Sequence, residues 1–424
     1  MKVVAGACGV GYGRAMRDRD LYARMLGIEA PWKVEDVELD VGGGEVVVHL
    51  VHQGKLTCAE CGAVAPGYDT RERRWRHLDT MQFRTILAAK VPRTKCETHG
   101  VLQMPVPWSE PGSGFTALYE ALIIDLLGEM SFSAVTRLTG MSWSQVDGVH
   151  ERAVRRGLAR REARLPKKLG VDETSFQKRH EYVTVVSDDQ GQVVHVADGR
   201  GRDALDVFCE QFDEEALAKV EVVAMDMHAP YIRSTEDHVP GAKEKIAFDK
   251  FHVAKHLGDA VDKVRRKEHR ELMAWGDDTL KGTRYDWLKH PKNVSDEAWK
   301  GYFAELRQTT LRTARAWGYK EWGMSLWDYQ SRGWARRGWQ KWYASAIRCR
   351  LEPVKRVART VKAHLAGIIT AVVKRVTNAR AEGINSVIQK LKGRARGYRN
   401  RTRFRNAIYF HLGGLELYPE SVRR

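Results

Sequence analysis

Residues 168–176 read Lys-Leu-Gly-Val-Asp-Glu-Thr-Ser-Phe, and residues 220–226 read Val-Glu-Val-Val-Ala-Met-Asp. Each segment is an apolar run of strand length that leads to an aspartate, Asp172 in the first and Asp226 in the second. Between them, the sequence predicts strands over residues 182–187 and 193–197, joined by a turn at 188–191, and then a helix over 203–220. Three antiparallel strands, a helix and a buried fourth strand are the element order of an RNase H-like α/β domain.

A third carboxylate, Glu382, opens the predicted helical segment Glu-Gly-Ile-Asn-Ser-Val-Ile-Gln-Lys. Mg²⁺ and Mn²⁺ prefer oxygen ligands, and two such ions about 3.5–4 Å apart can activate an attacking oxygen while they stabilise a leaving one. Asp172, Asp226 and Glu382 are therefore candidate catalytic residues and metal ligands for phosphoryl transfer. Because the chain holds 54 acidic residues, these three are informative only in their sequence context.

The composition is that of a globular protein with a polyanionic partner. The 424 residues, 43% of them hydrophobic, are enough for about three domains with cores of their own. The net charge of +17 favours nucleic acid as the partner. No apolar stretch approaches the ~18 residues of a membrane-spanning helix, so we expect no membrane contact. Six cysteines are too few for a disulfide scaffold, and we expect a cytoplasmic protein.

A predicted β-hairpin over residues 34–51 leads to cysteines with metal-like spacing. The set consists of Cys58-x-x-Cys61 and Cys96-x-x-His99. Three thiolates and an imidazole form a closed tetrahedral ligand set for a structural Zn²⁺. The alternative is that these residues pack together without a metal. Between the pairs, the basic and aromatic residues 71–77 are compatible with a phosphate-contacting surface and equally with a solvated strand edge.

Residues 116–161 have the periodicity of three short helices. Gly140 is predicted to end the second helix, and Ser142 with Gln145 forms a capping box that starts the third. The apolar stripes of the first two helices are predicted to contain Leu118, Leu122 and Leu126, and Val135 and Leu138. The pattern is that of a helix-turn-helix, whose second helix enters the major groove of DNA, although any three-helix packing unit has the same pattern. In a helix-turn-helix, the residues facing base edges would be Ser142, Trp143, Ser144 and Gln145, and those meeting phosphates would be Arg152, Arg155 and Arg156.

Five segments carry a resemblance to a known family. They are Val-Asp-Glu-Thr at 171–174, Met-Asp-Met-His-Ala-Pro-Tyr at 225–231, Phe-Asp-Lys-Phe-His-Val at 248–253, Asn-Ala-Arg-Ala-Glu-Gly-Ile-Asn at 378–385 and Gly-Tyr-Arg-Asn-Arg-Thr-Arg-Phe-Arg-Asn at 397–406. In these segments and in their order, the chain from Met16 onward resembles the DDE transposases of the ISL3 family of bacterial insertion sequences.

The resemblance implies that the first and fourth strands of an RNase H-like domain lie side by side and bring Asp172 next to Asp226. It implies that these two acids share two Mg²⁺ or Mn²⁺ ions and that Glu382 completes the second metal site. It also implies a helix-turn-helix that binds the terminal inverted repeats. The partners would be double-stranded DNA of the element ends and of the target, bound by a homodimer or larger oligomer in the bacterial cytoplasm, in association with the nucleoid.

Asp249 and His252 match an Asp-or-Cys-x-x-His signature that follows the second acid in several groups of DDE transposases. In this interpretation, His252 orients a metal ligand or contacts the scissile phosphate. The alternative is an aspartate that caps its own helix beside a packed histidine. Glu173 is expected on the opposite face of its strand from Asp172, so we do not count it as a ligand.

The long segment between Asp226 and Glu382 predicts a helical insertion that folds separately. Nine of the 13 tryptophans lie in it, and we expect most of them in its core. They are Trp275, Trp287, Trp299, Trp317, Trp322, Trp327, Trp334, Trp339 and Trp342. The alternative for one or two of these rings is stacking on a flipped base.

A helix is predicted over residues 353–374, before the helix that Glu382 opens. Residues 389–405 then hold eight basic residues and no acidic one. A solvated face is the ordinary interpretation of such a run. Aromatic residues interleave with the charges beside the candidate acids, which favours a DNA-binding surface. Its predicted members are Lys390, Arg394, Arg396, Tyr398, Arg399 and Arg403.

The sequence thus predicts six segments. They are a tail or mis-assigned start (1–15), a hairpin and zinc-binding domain (16–112), a helix-turn-helix (113–165), the first part of an RNase H-like catalytic domain (166–256), a tryptophan-rich helical insertion (257–350) and the second catalytic part with the third acid (351–424). The predicted function is metal-dependent DNA cleavage and strand transfer by a transposase. The alternatives are a transposase-derived DNA-binding regulator without catalysis and an RNase H-like nuclease without strand transfer.

Overall fold

A computed structural model gives the fold and describes residues 17–177, 181–289, 301, 304–305, 308–376 and 379–422. The chain forms two compact units. The first unit runs to Arg161 and takes up the chain again at Leu415, and the second unit is Glu162–Gly414. The predicted amino-terminal tail lies outside the described residues. Among the residues that are described, no helix is long and apolar enough to cross a membrane.

The first unit begins with a short helix and a five-stranded sheet. These elements are α1 (Asp18–Met25), β1 (Trp32–Asp40), β2 (Glu45–His52), β3 (Gly67–Arg76), β4 (Arg84–Cys96) and β5 (Gly100–Gln103). Strands β1 and β2 form the predicted antiparallel hairpin, and the strand order is β1-β2-β4-β3 with β5 paired to β4. The rings of Trp32, Trp75 and Trp108 meet edge to face in the core beneath this sheet. Because β3 is an exposed edge strand, the basic stretch at 71–77 follows a solvated strand edge, with Trp75 buried.

Three helices complete the first unit. They are α2 (Ala117–Glu129), α3 (Phe132–Thr139) and α4 (Trp143–Arg160). Each begins at a side-chain cap, and Gly140 ends α3 in the left-handed conformation (φ 69°), as predicted. The predicted capping box of α4 is present, because Ser142 Oγ accepts the N–H of Gln145 and the Gln145 side chain accepts the N–H of Ser142. The helix-turn-helix pattern is therefore formed as predicted.

The predicted apolar stripes of these helices are wrong in part. Leu118 and Leu122 of α2 are exposed, and so is Leu138 of α3, whereas Val135 is buried. The buried face of α2 is formed instead by Tyr119, Ile123, Ile124 and Leu127. Apolar residues lie on most sides of helix α2, so the periodicity of the sequence is compatible with two different buried faces. Packing against the neighbouring helices determines which of the two is buried.

The second unit is built on a sheet of five strands. They are β6 (Lys168–Gln177), β7 (Glu181–Ser187), β8 (Val193–Asp198), β9 (Val222–Met225) and β10 (Ile246–Phe248). The strand order is β10-β9-β6-β7-β8, with β6, β7 and β8 antiparallel and β9 and β10 parallel to β6. Gly170 lies opposite Ala224 in the β6–β9 pair. Two residues further along each chain stand Asp172 and Asp226, which therefore lie at the same end of the sheet.

In the part of the second unit that the structure describes, the helices with defined bounds are α5 (Asp203–Cys209), α6 (Glu214–Ala218), α7 (Ala229–His238), α8 (Ala242–Lys245), α9 (Lys250–Met273), α10 (Arg284–Leu288), α11 (Arg312–Ser325), α12 (Arg332–Ala346), α13 (Glu352–Ala363), α14 (Leu365–Lys374), α15 (Ala379–Arg394) and α16 (Arg401–Leu412). The helix predicted over 203–220 is two helices, because Asp213 caps α6 by accepting the N–H of Ala216 at 2.7 Å. The helix predicted over 353–374 is likewise divided at His364. The ring of this histidine packs edge-on against Phe248, with the centroids 5.0 Å apart.

The tryptophans of the insertion do not form a core of their own. The fully buried rings of Trp287, Trp339 and Trp342 belong to one hydrophobic cluster with Leu169 and Met225 of the sheet. The separate folding expected of the insertion is therefore wrong, since its helices complete the core that covers the sheet. The partly buried rings Trp317, Trp322 and Trp327 pack against the same cluster. Trp275 and Trp334 are exposed, and Trp299 lies outside the described residues.

Candidate active site, metal centre and DNA interface

The four predicted zinc ligands of the first unit lie together. Cys96 ends β4, and His99 follows in the turn before β5. The Sγ atom of Cys96 is 3.6 Å from His99 Nδ1 and 3.9 Å from Cys61 Sγ, and Cys58 Sγ is 3.7 Å from His99 Nδ1. The four ligand atoms lie within 4.8 Å of one another, and no other metal-type cluster this compact occurs among the described residues.

The backbone around these side chains favours metal binding. The amide N–H groups of His99 and Thr98 lower the pKa of the Cys96 thiol to about 6. The amide N–H of Cys61 likewise lowers the pKa of Cys58. The thiolate is the form that binds zinc, and four protein ligands leave no open position for catalysis. The cluster therefore fits a structural zinc ion.

The predicted base-reading residues lie at the start of α4. Ser142, Trp143, Ser144 and Gln145 are all exposed. Ser142 Oγ is 3.1 Å from Ser144 Oγ and 3.3 Å from the N–H of Gln145, which it caps. The ring of Trp143 packs against Phe132, with the centroids 5.5 Å apart. The capping box uses part of the hydrogen-bonding capacity of Ser142 and Gln145, and contact with base edges stays a prediction for all four residues.

The arginines of α4 have two different environments. The Arg156 side chain is only 8% exposed and lies 3.0 Å from the carboxylate of Glu120, which is buried in α2. Arg152 Nε donates to the same carboxylate at 2.9 Å. The structure therefore contradicts the predicted phosphate contacts of Arg152 and Arg156, because residues four apart share the helix face that packs on α2. Arg155 is exposed and remains a candidate phosphate contact.

Sequence reasoning missed the network that these arginines build. Arg156 also donates to the carbonyl oxygen of Leu417, at 2.5 Å, and Arg160 donates to that of Tyr418 at 2.6 Å. The returning carboxyl-terminal segment is thus a structural part of the first unit. The available signal was the acid Glu120 within the otherwise apolar stretch 117–124, followed later by arginines at helical spacing.

In the second unit, Asp172 on β6 and Asp226 directly after β9 are half-buried neighbours. Burial raises the pKa of Asp172, and the negative charge of Asp226 raises it further. Asp172 Oδ1 accepts the N–H of Glu173 at 2.8 Å, and Asp226 Oδ1 accepts the N–H of His228 at 3.1 Å. Each carboxylate is therefore oriented by its own backbone, and the two negative charges repel each other.

Glu382 lies in the first turn of α15 and is exposed. Its helix is bound to β6, because Asn385 Nδ2 donates to Asp172 Oδ2 at 2.7 Å. A spacing of three residues puts Glu382 and Asn385 on one face of the helix. Among the residues described, the three acids do not form a compact cluster of the kind that the Cys58 group forms.

Three residues near the two aspartates bear on the alternatives that the sequence left open. His252 lies in the first turn of α9, near enough to Asp172 for its charge to lower the pKa of that carboxyl. Asp249 begins α9 without a side-chain cap, so the alternative of a self-capping aspartate is not supported. The Glu173 carboxylate lies 3.5 Å from Arg200 and so has a different partner from Asp172, in agreement with strand alternation.

The basic residues of 389–405 have mixed environments. The exposed ones among the predicted DNA contacts are Lys390, Arg396, Arg399 and Arg403. Arg394 is half-buried and donates to His411 at 2.8 Å. The ring of Tyr398 packs against the buried ring of Phe404, with the centroids 5.1 Å apart. This packing is evidence against base stacking by Tyr398, whereas the exposed cations have the accessibility that a phosphate contact requires.

The geometry agrees with comparisons to known proteins. Residues 169–408 match a family described as a transposase, residues 104–154 match the helix-turn-helix domain of transposase family ISL3, and residues 55–99 match the zinc-finger of the transposases of IS204, IS1001, IS1096 and IS1165. A zinc ribbon, a helix-turn-helix and a transposase region together define a DNA-binding enzyme of mobile DNA. The chain belongs to the ISL3 family of transposases, as the sequence resemblance predicted.

Relatives match over most of the chain. The transposase for insertion sequence element IS1557 of Mycobacterium tuberculosis is 27% identical in an alignment of 422 positions that covers 91% of this chain and 93% of that protein. The transposase for insertion sequence element IS1001 of Bordetella parapertussis is 28% identical over 96% of this chain and 100% of that protein. Family membership implies an enzyme that cleaves DNA, and the zinc-ribbon match supports a structural zinc at the Cys58 group.

Proposed function

We propose that this transposase cleaves the ends of its insertion sequence and joins them to target DNA with two Mg²⁺ or Mn²⁺ ions, held by Asp172, Asp226 and Glu382. The observation that carries the proposal is the parallel pairing of β6 and β9, with Asp172 within β6 and Asp226 directly after β9 at one end of the sheet. Helix α15, which bears Glu382, is hydrogen-bonded to the first of these acids. The strand pairing and this hydrogen bond support the convergence of three carboxylates that are distant in sequence.

The sheet of the second unit supports an RNase H-like fold as part of this proposal. Three antiparallel strands are followed by two strands parallel to the first, and the order is β10-β9-β6-β7-β8. That is the topology expected if the first and fourth strands carry the first two acids. The acids then belong to a rigid sheet, whereas the third acid is brought by a helix.

The donor set fits Mg²⁺ or Mn²⁺. All three side chains offer carboxylate oxygens, which these cations prefer. Burial and the charge of Asp226 both raise the pKa of Asp172, so a divalent cation beside the pair would remove an existing repulsion. When bound, such ions activate an attacking oxygen and stabilise a leaving one. Asp172 and Asp226 would share both ions, and Glu382 would complete the second site.

The reaction we propose has two steps. Water first attacks the phosphorus at the element end, so that a bond from the water oxygen to phosphorus forms and the bond to the 3′ oxygen breaks. The freed 3′-hydroxyl then attacks a target phosphate, and the 3′ oxygen of the target strand leaves. His252 orients the Asp172 carboxylate or contacts the scissile phosphate. No covalent protein intermediate is required.

The first unit would select the inverted repeats. The exposed first turn of α4 carries Ser144 and Gln145, which would meet base edges in the major groove, and Arg155 would contact a phosphate. The exposed cations after Gln389 would add affinity that is independent of sequence. Because both ends of an element must be cut and joined together, we propose a homodimer or larger oligomer on DNA.

Cleavage of a duplex with one element end tests this proposal. Asp172→Asn, Asp226→Asn and Glu382→Gln should each abolish cleavage in Mg²⁺ and leave end binding intact, because an amide cannot balance the charge of the ions. Glu173→Gln is the matched control and should keep most of the activity, since that side chain pairs with Arg200. Wild-type protein that binds ends but cuts none in Mg²⁺ or Mn²⁺ would instead be a regulator, and protein that cuts but never joins would be a nuclease.

A further inference from the structure

A row of polar contacts, which we call the α15–β6 ladder, joins the helix of Glu382 to the strand of Asp172. Its members are Asn385, Gln389 and Lys392 on α15 and Asp172, Thr174 and Ser175 on β6. Asn385 Nδ2 donates to Asp172 Oδ2 at 2.7 Å, and Lys392 Nζ donates to the carbonyl oxygen of Ser175 at 2.7 Å. Gln389 Nε2 lies 3.5 Å from its partner hydroxyl. The helix residues follow one face of α15 in the order of the strand residues, so helix and strand run in the same direction.

The ladder adds directional contacts to an apolar interface. The buried side chains of α15 are Ala381, Ile384, Ile388 and Leu391. Apolar contacts tolerate small shifts of a helix along its axis, whereas a hydrogen bond weakens steeply with distance and angle. The ladder is therefore suited to fix the register of α15 on β6. Of its contacts, the one made by Asn385 reaches a candidate metal ligand.

The Asp172 carboxylate is held from two sides. Its Oδ1 accepts the backbone N–H of Glu173 at 2.8 Å, and its Oδ2 accepts the side-chain amide of Asn385. A carboxylate oxygen has two lone pairs, so each oxygen keeps one for a cation. The same amide stands three residues after Glu382, on the face of the helix that both share. The hydrogen bond from Asn385 to Asp172 thus links the orientation of the Asp172 carboxylate to the position of Glu382.

We infer that Asn385 is a positioning residue of the active site, which orients the Asp172 carboxylate and sets the distance of Glu382 from it. The inference rests on the proposed function of the three acids. Residues that hydrogen-bond to metal ligands typically contribute about 10–100-fold to metal affinity. The loss of the Asn385 amide should therefore weaken the binding of the metal, and not only slow the reaction.

Binding of Mn²⁺ to the full-length protein, followed by the paramagnetic resonance signal of the free ion, tests this without catalysis. Asn385→Leu keeps the size of the side chain and removes the donor, and we expect about a 10-fold rise in the Kd for Mn²⁺. Gln389→Leu is the matched control, since it removes the next contact of the ladder on the same face, whose partner is not an acid. It should leave the Kd for Mn²⁺ close to that of the wild type.

A merely structural role of Asn385 predicts equal changes of Mn²⁺ affinity in the two variants, and that result would overturn the inference. Asn385→Ala replaces Asn385→Leu, with the same expectation, if circular dichroism shows that the leucine variant is not folded. The same titration of Asp172→Asn distinguishes a failure of the proposed metal site from a failure of the Asn385 inference. If neither Asp172→Asn nor Asn385→Leu changes the affinity for Mn²⁺, the proposed metal site is wrong. If Asp172→Asn weakens Mn²⁺ binding and Asn385→Leu does not, only the role of Asn385 is wrong.

Discussion

The zinc-ligand cluster and the proposed catalytic metal site of this transposase are assembled in different ways. The Cys58 group comes from two short turns of one sheet, and its ligand atoms already lie within 4.8 Å of one another. The acids come from two strands and a helix, and Glu382 remains exposed. A structural site is closed by its own ligands, whereas a catalytic site must admit ions, water and DNA. A structural zinc site can therefore be formed by local turns, whereas the proposed catalytic site requires long-range packing of strands and a helix.

The largest effect on folding is expected from the loss of a zinc ligand. Cys96→Ser removes one of four ligands, and structural zinc contributes on the order of 10 kcal/mol to small zinc domains. Zinc measured by elemental analysis should fall from one ion per chain to almost none, and the region of β3 to β5 should become sensitive to proteolysis. Cys209→Ser, at a buried thiol of the second unit, is the control and should keep its zinc. Freshly purified wild-type protein without zinc would contradict the assignment.

The next largest effect is expected from the buried ion pairs of α4. Arg156→Met leaves the buried carboxylate of Glu120 with fewer partners, and the breaking of a buried pair typically costs about 3–5 kcal/mol of folding free energy. Arg155→Met, at the adjacent exposed position, should leave the stability unchanged and weaken DNA binding. Urea denaturation of both full-length variants measures the difference. Equal unfolding midpoints would show that the network does not stabilise the first unit.

Local patterns predicted the strands and the zinc-ligand set, and long-range contacts explain what the sequence did not reveal. The strands of the second unit alternate and end at turn residues, and the zinc ligands come in close pairs, so each is visible within a short window. His364, where the predicted helix is divided, contacts Phe248, which is far away in sequence. The partner of Arg156 in α2 and the bond from Asn385 to Asp172 are equally non-local. The spacing of residues in the sequence does not indicate which polar groups pair between two separate elements.

A smaller effect is expected on the recognition of element ends. Gln145→Glu keeps the acceptor that the capping box of α4 needs, but it removes the amide donor and adds a negative charge at the predicted groove surface. The preference for end DNA over random DNA should fall by an amount equal to about 1–3 kcal/mol. Competition binding at one fixed salt concentration measures it. Equal binding of both DNAs by the wild type would remove the claim that α4 reads the repeats.

The smallest effect is expected from the exposed cations near the end of the second unit. Arg396→Gln with Arg399→Gln should lower the magnitude of the slope of log affinity against log salt by about 2. The reason is that the loss of each phosphate contact reduces the number of counterions released on binding by about one. End preference should not change. Arg401→Gln, at an arginine paired with Glu181 at 3.1 Å, is the control and should change the slope less. A slope identical to that of the wild type would show that this segment is a solvated face and not a DNA-binding surface.

The central claim is that one set of carboxylates performs both chemical steps, and strand transfer with pre-cut ends tests it most directly. A duplex that already carries the free 3′-hydroxyl bypasses the first step, so only joining to target DNA is measured. We expect the wild type to join in Mg²⁺ or Mn²⁺, to stop when a chelator is added and to be weak in Ca²⁺, and we expect no joining by Asp226→Asn. An Asp226→Asn protein that joins pre-cut ends at a rate near that of the wild type would contradict the account.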